Sequence, residues 1–302
     1  MINIFKTKDI YLQMCRKSPD LHALSAEERL MLQDHLRKIY LEIEKVCDRH
    51  QLTVMLADGS VLGALRHKGF IPWDDDIDLN MSRKDYEAFI DKYSSELPSN
   101  YIVFAPNSKN GPISNFCKVM DMNTEIVHPG EEEQMNHYGI SVDIFPLESI
   151  DPDRPLYNKW KRICSLLLIY IAASVLQYKS HSLLYRKLMS GSAAARFNYW
   201  FREFIGFIFS FKHTSEWQNA FDSYVRNVED TGFVHRPSDF YRWEPIPQDV
   251  FFPVKKVPFD DINAYIPNKA IDILEYDFGD WHIVPKPEDR WEHFLVSIKF
   301  SK

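Results

Sequence analysis

The chain has 302 residues and a net charge of −7, and it is 45% hydrophobic and 26% charged. That balance is the one expected of an ordinary globular protein, so a disordered or fibrous chain is excluded, and the length provides for one large domain or two medium ones. The four cysteines, Cys15, Cys47, Cys117 and Cys164, are far apart and form no CxxC pair, which argues against a structural zinc site or disulfide framework and fits a reducing, cytoplasmic setting.

The opening stretch, MINIFKTKDIYLQMCRK, lacks the long apolar run of a signal peptide. Ser25-Ala-Glu-Glu28 is a capping box, and the helix it opens carries Leu32, Leu36, Ile39, Ile43 and Val46 in one apolar stripe. A short buried strand, Thr53 to Ala57, then runs into Asp58-Gly59-Ser60 and a short helix over Val61 to Leu65. Ile77 to Met81 is a second strand, and Ser82 with Asp85 caps a further helix. Strands are predicted over Tyr101 to Ala105, Asn115 to Met120, Thr124 to His128 and Ile140 to Phe145.

Pro152 and Pro155 mark a change to helical patterning, over Lys159 to Tyr178, His181 to Lys212 and Glu216 to Val228. Pro237 to Pro258 is proline-rich and irregular, and a last helix spans Asn268 to Tyr276. The boundaries predicted are therefore 1–150, 151–236 and 237–302.

Residues 151–215 hold ten Lys/Arg and three Asp/Glu, a local charge of +7 inside an otherwise acidic chain. Such a block implies an anionic partner. Ile163 to Leu176 is uncharged over 14 residues, short of the roughly 20 that span a bilayer. It reads either as a buried core helix or, with Lys159, Lys161, Arg162 and the aromatic run NYWFREFIGFIFSF (198–211), as a peripheral membrane contact.

The densest signal is IPWDDDIDLN, residues 71–80, with four carboxylates in five positions ahead of an apolar strand. Like charges this close repel, and burial makes them costlier. In an extended chain Asp74, Asp76 and Asp78 share a face while Ile77 and Leu79 take the other. A divalent cation would turn that repulsion into shared coordination, and oxygen ligands favour Mg²⁺, Mn²⁺ or Ca²⁺ over zinc. Upstream, Gly59-Ser60 between a strand and a helix suits a phosphate. Downstream, Asp143 interrupts the apolar strand SVDIF and would reach the same cluster from a neighbouring strand. A solvated acidic turn is the bland alternative for 74–78, and it leaves the other two features without a purpose.

Together, ADGSVLGALRHKGFIPWDDDID (57–78), FCKVMDMNT around Lys118, VDIFPLE (142–148) and ILEYDFGDWHIVPKPEDRWEH (273–293) resemble the LicD family of the nucleotidyltransferase superfamily, which is related to fukutin and fukutin-related protein. Ser60 stands where the family often has Thr, and Tyr276-Asp277-Phe278-Gly279 interrupts a commonly compact Tyr-Gly pair.

The resemblance implies an α/β fold of the α+β kind, a nucleotidyltransferase-like mixed sheet flanked by helices with a mainly helical second region. In this reading 1–150 is the catalytic core, 151–236 contacts acceptor or membrane surface, and 237–302 returns to the active site. It implies a Mg²⁺- or Mn²⁺-dependent phosphotransferase that moves a phosphorylated alcohol from a CDP-linked donor to a glycan or lipid-linked acceptor, with no nucleic-acid partner. Asp76, Asp78 and Asp143 would hold metal, Asp143 alternatively acting as general base, and Asp74 would support them. Gly59, Ser60, Arg66 and Lys118 would contact donor phosphates. Trp73 either stacks on the donor or packs beneath its loop, and His67 and His137 have no metal-like spacing. Transfer of a nucleoside monophosphate from a triphosphate is the rival chemistry, and a Ca²⁺-dependent glycan-binding module is the non-catalytic alternative.

Overall fold

The computed structural model describes residues 7–106, 108, 114–132, 138–237, 243–290 and 292–301. Helix α1 (Thr7–Lys17), which the sequence pattern did not announce, and a short strand β1 (His22–Ala23) precede α2 (Ala26–His50). The capping box forms as read: Ser25 Oγ accepts the Glu28 amide at 3.2 Å, and the Glu28 carboxylate accepts the Ser25 N–H at 2.9 Å. The α2 stripe is buried throughout, Leu32, Leu36, Ile39, Ile43 and Val46 each being at most 2% exposed.

Next come β2 (Val54–Leu56), α3 (Asp58–Arg66), β3 (Asp78–Ser82), α4 (Arg83–Ala88), β4 (Tyr101–Phe104), β5 (Cys117–Val127) and β6 (Tyr138–Ser149). The main sheet is mixed, in the order β12-β5-β6-β3-β2, where β12 (Ser297–Lys299) is the last strand of the chain. β3 runs parallel to β6 and antiparallel to β2, and β5 runs antiparallel to β6. The two strands predicted over 115–128 are one strand, β5, with a register shift between Asp121 and Ile126. Thr124 Oγ1 bridges that irregularity, donating to the Asp121 carbonyl at 2.7 Å and accepting the Ile140 amide at 2.8 Å. A β-carbon at Gly139 would sit 1.9 Å from the Asp121 carbonyl oxygen, so only glycine fits beside the bulge.

The helical region comprises α5 (Pro155–Ser180), α6 (Leu183–Leu188), α7 (Ala193–Phe209) and α8 (Thr214–Val225). α5 begins earlier than predicted because Pro155 supplies the fixed φ that suits a first helical residue. The single helix predicted over 181–212 is two, capped separately by the Ser182 and Ser192 hydroxyls. By length and composition α5 is the one helix among the described residues that could cross a membrane. It packs, however, against α7 and α8. Its Lys161 is buried, with Nζ donating to the Val225 carbonyl at 3.1 Å, so this member of the expected basic contact is spent inside the fold.

A buried ion pair ties this region to the sheet. Arg83 at the start of α4 holds Glu148 of β6 and reaches Asp222 of α8 at 2.8 Å, while the second Glu148 oxygen accepts the Asn227 amide at 2.9 Å. The remaining strands are β7 (Phe233–His235), β8 (Ile246–Pro247), the hairpin β9 (Lys255–Phe259) and β10 (Ile262–Ile266), and β11 (Phe294–Leu295), with α9 (Ala270–Phe278) between β10 and β11. β11 pairs with β1 and β12 with β5, and Phe259, Ile266, Leu274 and Leu295 join the core that the α2 stripe fills. The C-terminal segment thus completes the sheet of the first region. Within the stretch read as irregular, β8 and the start of β9 are ordered strands.

Candidate active site

Three neighbouring strands place three charged residues abreast. Asp78 of β3 is in register with Asp143 of β6, and Asp143 is in register with Lys118 of β5. Equivalent positions on adjacent strands share a face, so Asp143 meets the acidic cluster laterally, as its isolation in an apolar strand implied. Lys118 Nζ grips both Asp143 oxygens, at 2.6 and 2.7 Å, and lies 5.0 Å from the Phe116 ring centre.

The strand itself begins only at Asp78, and residues 74–77 form an extended lead-in. α2 fixes this lead-in from below: Gln33 Nε2 donates to the Asp74 carbonyl at 2.9 Å and Arg29 donates to the Trp73 carbonyl. At its end the Asp143 amide donates to the Ile77 carbonyl at 3.1 Å. Burial and crowding make these carboxylates more basic. Burial, then the charges of Asp75 and Asp143, push Asp76 up to about 6. Burial and the neighbouring aspartates hold Asp74 and Asp78 well above the ordinary carboxylate range.

His293, from the C-terminal segment, answers part of this charge. Its Nδ1 lies 2.7 Å from Asp75 Oδ1. Burial alone would lower the imidazole, but the Asp75 bond and the charges of Asp75, Asp76 and Asp74 raise it to about 9. Asp75 is lowered in return, the His293 contact and then Arg29 outweighing burial. Asp75, Asp76 and His293 present ligand atoms within 4.8 Å of one another, the one such group among the described residues. These residues, with Lys118, Asp143 and His128, line a cavity of about 170 Å³ whose apolar wall includes Leu32, Leu36 and Leu295.

The other rim is the first turn of α3. Asp74 Oδ2 lies 3.5 Å from the position a Gly59 β-carbon would take, against a helix N-terminus that favours negative charge. The Ser60 hydroxyl, expected on a donor phosphate, is buried and accepts the Asp78 amide at 3.0 Å. It thereby locks α3 to the start of β3. Asp58 opens α3 in the left-handed region, at φ 43°. Arg236, nearly buried, bridges Asp58 at 2.6 Å and Asp277 of α9 at 2.7 and 2.9 Å. The interrupted Tyr-Gly pair therefore has a use here: its Asp277 anchors the arginine that braces the Gly59-Ser60 turn.

Arg66, expected on a diphosphate, donates instead to the Trp281 carbonyl at 2.9 Å and the Ile283 carbonyl at 3.3 Å. It pins the C-terminal loop. Trp73 is half-buried, with the Arg290 guanidinium 4.0 Å from its ring centre. His67 accepts from Arg66 Nε at 2.9 Å, and His137 lies outside the described residues. His128, Arg236, Asp277 and His293 were missed as site residues, and Asp75, though one of the four crowded carboxylates, was given no role. For the missed four, the only local signal was the stretch 273–293, which holds both Asp277 and His293.

Residues 51–153 match the family model LicD/FKTN/FKRP, nucleotidyltransferase domain. The chain is also 25% identical over 256 residues to the lipopolysaccharide cholinephosphotransferase LicD of Haemophilus influenzae, an alignment covering 83% of this chain and 89% of that protein. Every site residue read from the sequence falls within 51–153, whereas Arg236, Asp277 and His293 lie beyond it. The part of the chain that sets Asp78, Asp143 and Lys118 abreast on the sheet is thus the part that matches the LicD/FKTN/FKRP nucleotidyltransferase domain.

Proposed function

We propose that the protein is a metal-dependent transferase that moves a phosphorylated alcohol, phosphocholine first among the candidates, from a CDP-linked donor to a hydroxyl of a cell-surface glycan or its lipid-linked precursor. The observation that carries this reading is the alignment of Asp78, Asp143 and Lys118 on one sheet face, beside Asp74, Asp75 and Asp76. The similarity to a cholinephosphotransferase supports the choice of head group.

The donor set fits a hard divalent cation such as Mg²⁺ or Mn²⁺. Burial, and then the charges of neighbouring carboxylates, hold Asp74, Asp76 and Asp78 above the usual carboxylate range, as expected of oxygens gathered for a cation. Asp76, Asp78 and Asp143 would hold it, with Asp75 and His293 alongside. When bound, it would neutralise charge on the transferred phosphate and the leaving CMP.

The chain's own groups do the rest. In the transfer, the acceptor oxygen bonds to the phosphorus that carries the alcohol, the bond from that phosphorus to CMP breaks, and CMP leaves with the electron pair. Asp143 would take the hydroxyl proton if it is not held as a ligand. Lys118 is close enough to exchange its hold on Asp143 for a phosphate oxygen, and the first turn of α3, with Gly59 at its head, faces the donor phosphates. Arg66 and Ser60 act at one remove, by fixing the C-terminal loop and the start of β3.

The test offers CDP-choline, CDP-ethanolamine, CDP-glycerol and CDP-ribitol beside CTP, with Mg²⁺, and follows the nucleotide released. CMP from one donor with the wild type, and none with Asp76→Asn, is the expected result. Pyrophosphate from CTP would replace the reading with nucleotidyl transfer. Donors left intact, together with Ca²⁺-dependent glycan binding that Asp76→Asn abolishes, would replace it with a binding module.

A further inference from the structure

Helix α7 is amphipathic the wrong way round for a helix of a water-exposed domain. Its inward residues are Ala195, Tyr199 and Gly206. A β-carbon at Gly206 would sit 2.3 Å from the Ser174 carbonyl oxygen, so α5 and α7 touch backbone to backbone there. Beside that contact the polar edge of α7 is turned inward as well: Gln177 Nε2 donates to the Tyr199 carbonyl at 3.1 Å and to Glu203 at 2.9 Å. On the opposite side Phe197, Trp200, Phe201, Phe204 and Phe207, and Phe211 just beyond the helix, are each 44–72% exposed. Their spacing keeps them on one face along about 20 Å of helix. A contiguous aromatic patch of this length marks an interaction surface.

The charge around it points to one partner. Arg196 and Lys212 stand exposed at its two ends, and the Arg186 guanidinium lies 5.2 Å from the Trp200 ring centre. None of the exposed residues between 193 and 213 is a carboxylate. Residues 154–202 contain no Asp or Glu at all, in a chain of net charge −7. α5 adds exposed Leu156, Tyr157 and Trp160 beside exposed Lys159. A second copy of the chain would bring these cations against their own equivalents with no acid to answer them. An anionic lipid surface answers both features.

We propose that α7 is a membrane-surface helix that beds its phenylalanine face into the headgroup–acyl boundary of an anionic phospholipid bilayer, with Arg186, Arg196 and Lys212 at the phosphates. The face lies wholly outside the candidate active site, and the proposal does not depend on the transferase reading.

Vesicle flotation tests it, using phosphatidylcholine alone and phosphatidylcholine with phosphatidylglycerol. The wild type floats with the anionic vesicles, less so at high salt, and weakly with phosphatidylcholine. In Phe204→Glu/Phe207→Glu the bound fraction falls by roughly tenfold or more, since two inserted rings become carboxylates. Both positions are exposed, so the melting temperature and circular dichroism stay those of the wild type. Absence of wild-type binding to either vesicle, or equal binding by the variant, overturns the proposal. A wild-type dimer that the variant dissolves, with no vesicle binding, overturns it in favour of a second copy. Neither readout requires turnover, so failure here and failure of the transferase reading are separate results.

Discussion

In the proposed transferase, Asp76 would serve function at a cost to stability. Burial and the charges of Asp75 and Asp143 push its carboxyl up to about 6. A carboxyl raised in the folded state destabilises it above that value, and the loss is recovered as pH falls. Asp76→Asn removes the penalty, so the metal-free variant gains on the order of 2 kcal/mol at pH 7.5. Its melting temperature rises by a few degrees, while CMP release falls by roughly 100-fold or more. Mg²⁺ narrows the gap by stabilising the wild type more. Thermal melts with and without Mg²⁺ read the effect, and a lower melting temperature for the metal-free variant would make Asp76 a structural residue instead. The aspartates were legible in the sequence because four of them lie within five positions and the fifth, Asp143, stands alone in an apolar strand. His293 and Arg236 were not, because a histidine or arginine gains its role only from what the fold sets beside it. Asp75 and Asp58 lie far from them in sequence, and no local pattern encodes that meeting.

At the scale of elements, the Arg83–Glu148–Asp222 cluster joins α4, β6 and α8, and its members differ sharply in burial. The side chains of Arg83 and Glu148 are 3% and 0% exposed, whereas that of Asp222 is 22% exposed. Removing one partner of a buried pair strands the other's charge, so Glu148→Met costs about 3–5 kcal/mol. Asp222→Asn costs about 1 kcal/mol or less, because water reaches that end. Arg83→Met with Glu148→Leu recovers most of the first loss, since packed apolar groups need no partner. Denaturant melts of the three variants give the order, and equal losses for Glu148→Met and the double variant would show that packing alone is at stake. The sequence announced these elements better than their junctions. The α2 stripe and the Ser25 and Ser82 caps are local, and they formed as read. The β5 bulge depends on Thr124 reaching Ile140, and strands as short as β7, β8 and β11 hold only through partners elsewhere in the chain.

Across the whole molecule, His235 lies where the sheet, the helical region and the C-terminal segment meet. It stands on β7 in register with Glu148 of β6, has its ring centre 4.2 Å from that of Trp243 with the two planes tilted by 59°, and shares its surroundings with the buried Lys161 of α5. Neither ring nitrogen has a hydrogen-bond partner among the described residues, and the residue is 1% exposed. Burial, then the Lys161 charge, lowers it to about 3. A histidine lowered in the folded state is neutral there while the unfolded chain takes up a proton, so its contribution is complete above about 6.5 and fades as pH falls toward 3. Between pH 7.5 and 5.0 the loss is roughly 2 kcal/mol. The raised aspartates of the active site act with the opposite sign, so the wild-type profile alone cannot isolate the histidine. The difference between wild type and His235→Leu can, because the aspartates cancel in it. Stability measured by denaturant at several pH values should show the wild type losing ground to His235→Leu as pH drops. A constant difference would mean that the imidazole finds a proton acceptor in the folded state, and that the junction between the three regions is not sensitive to acid.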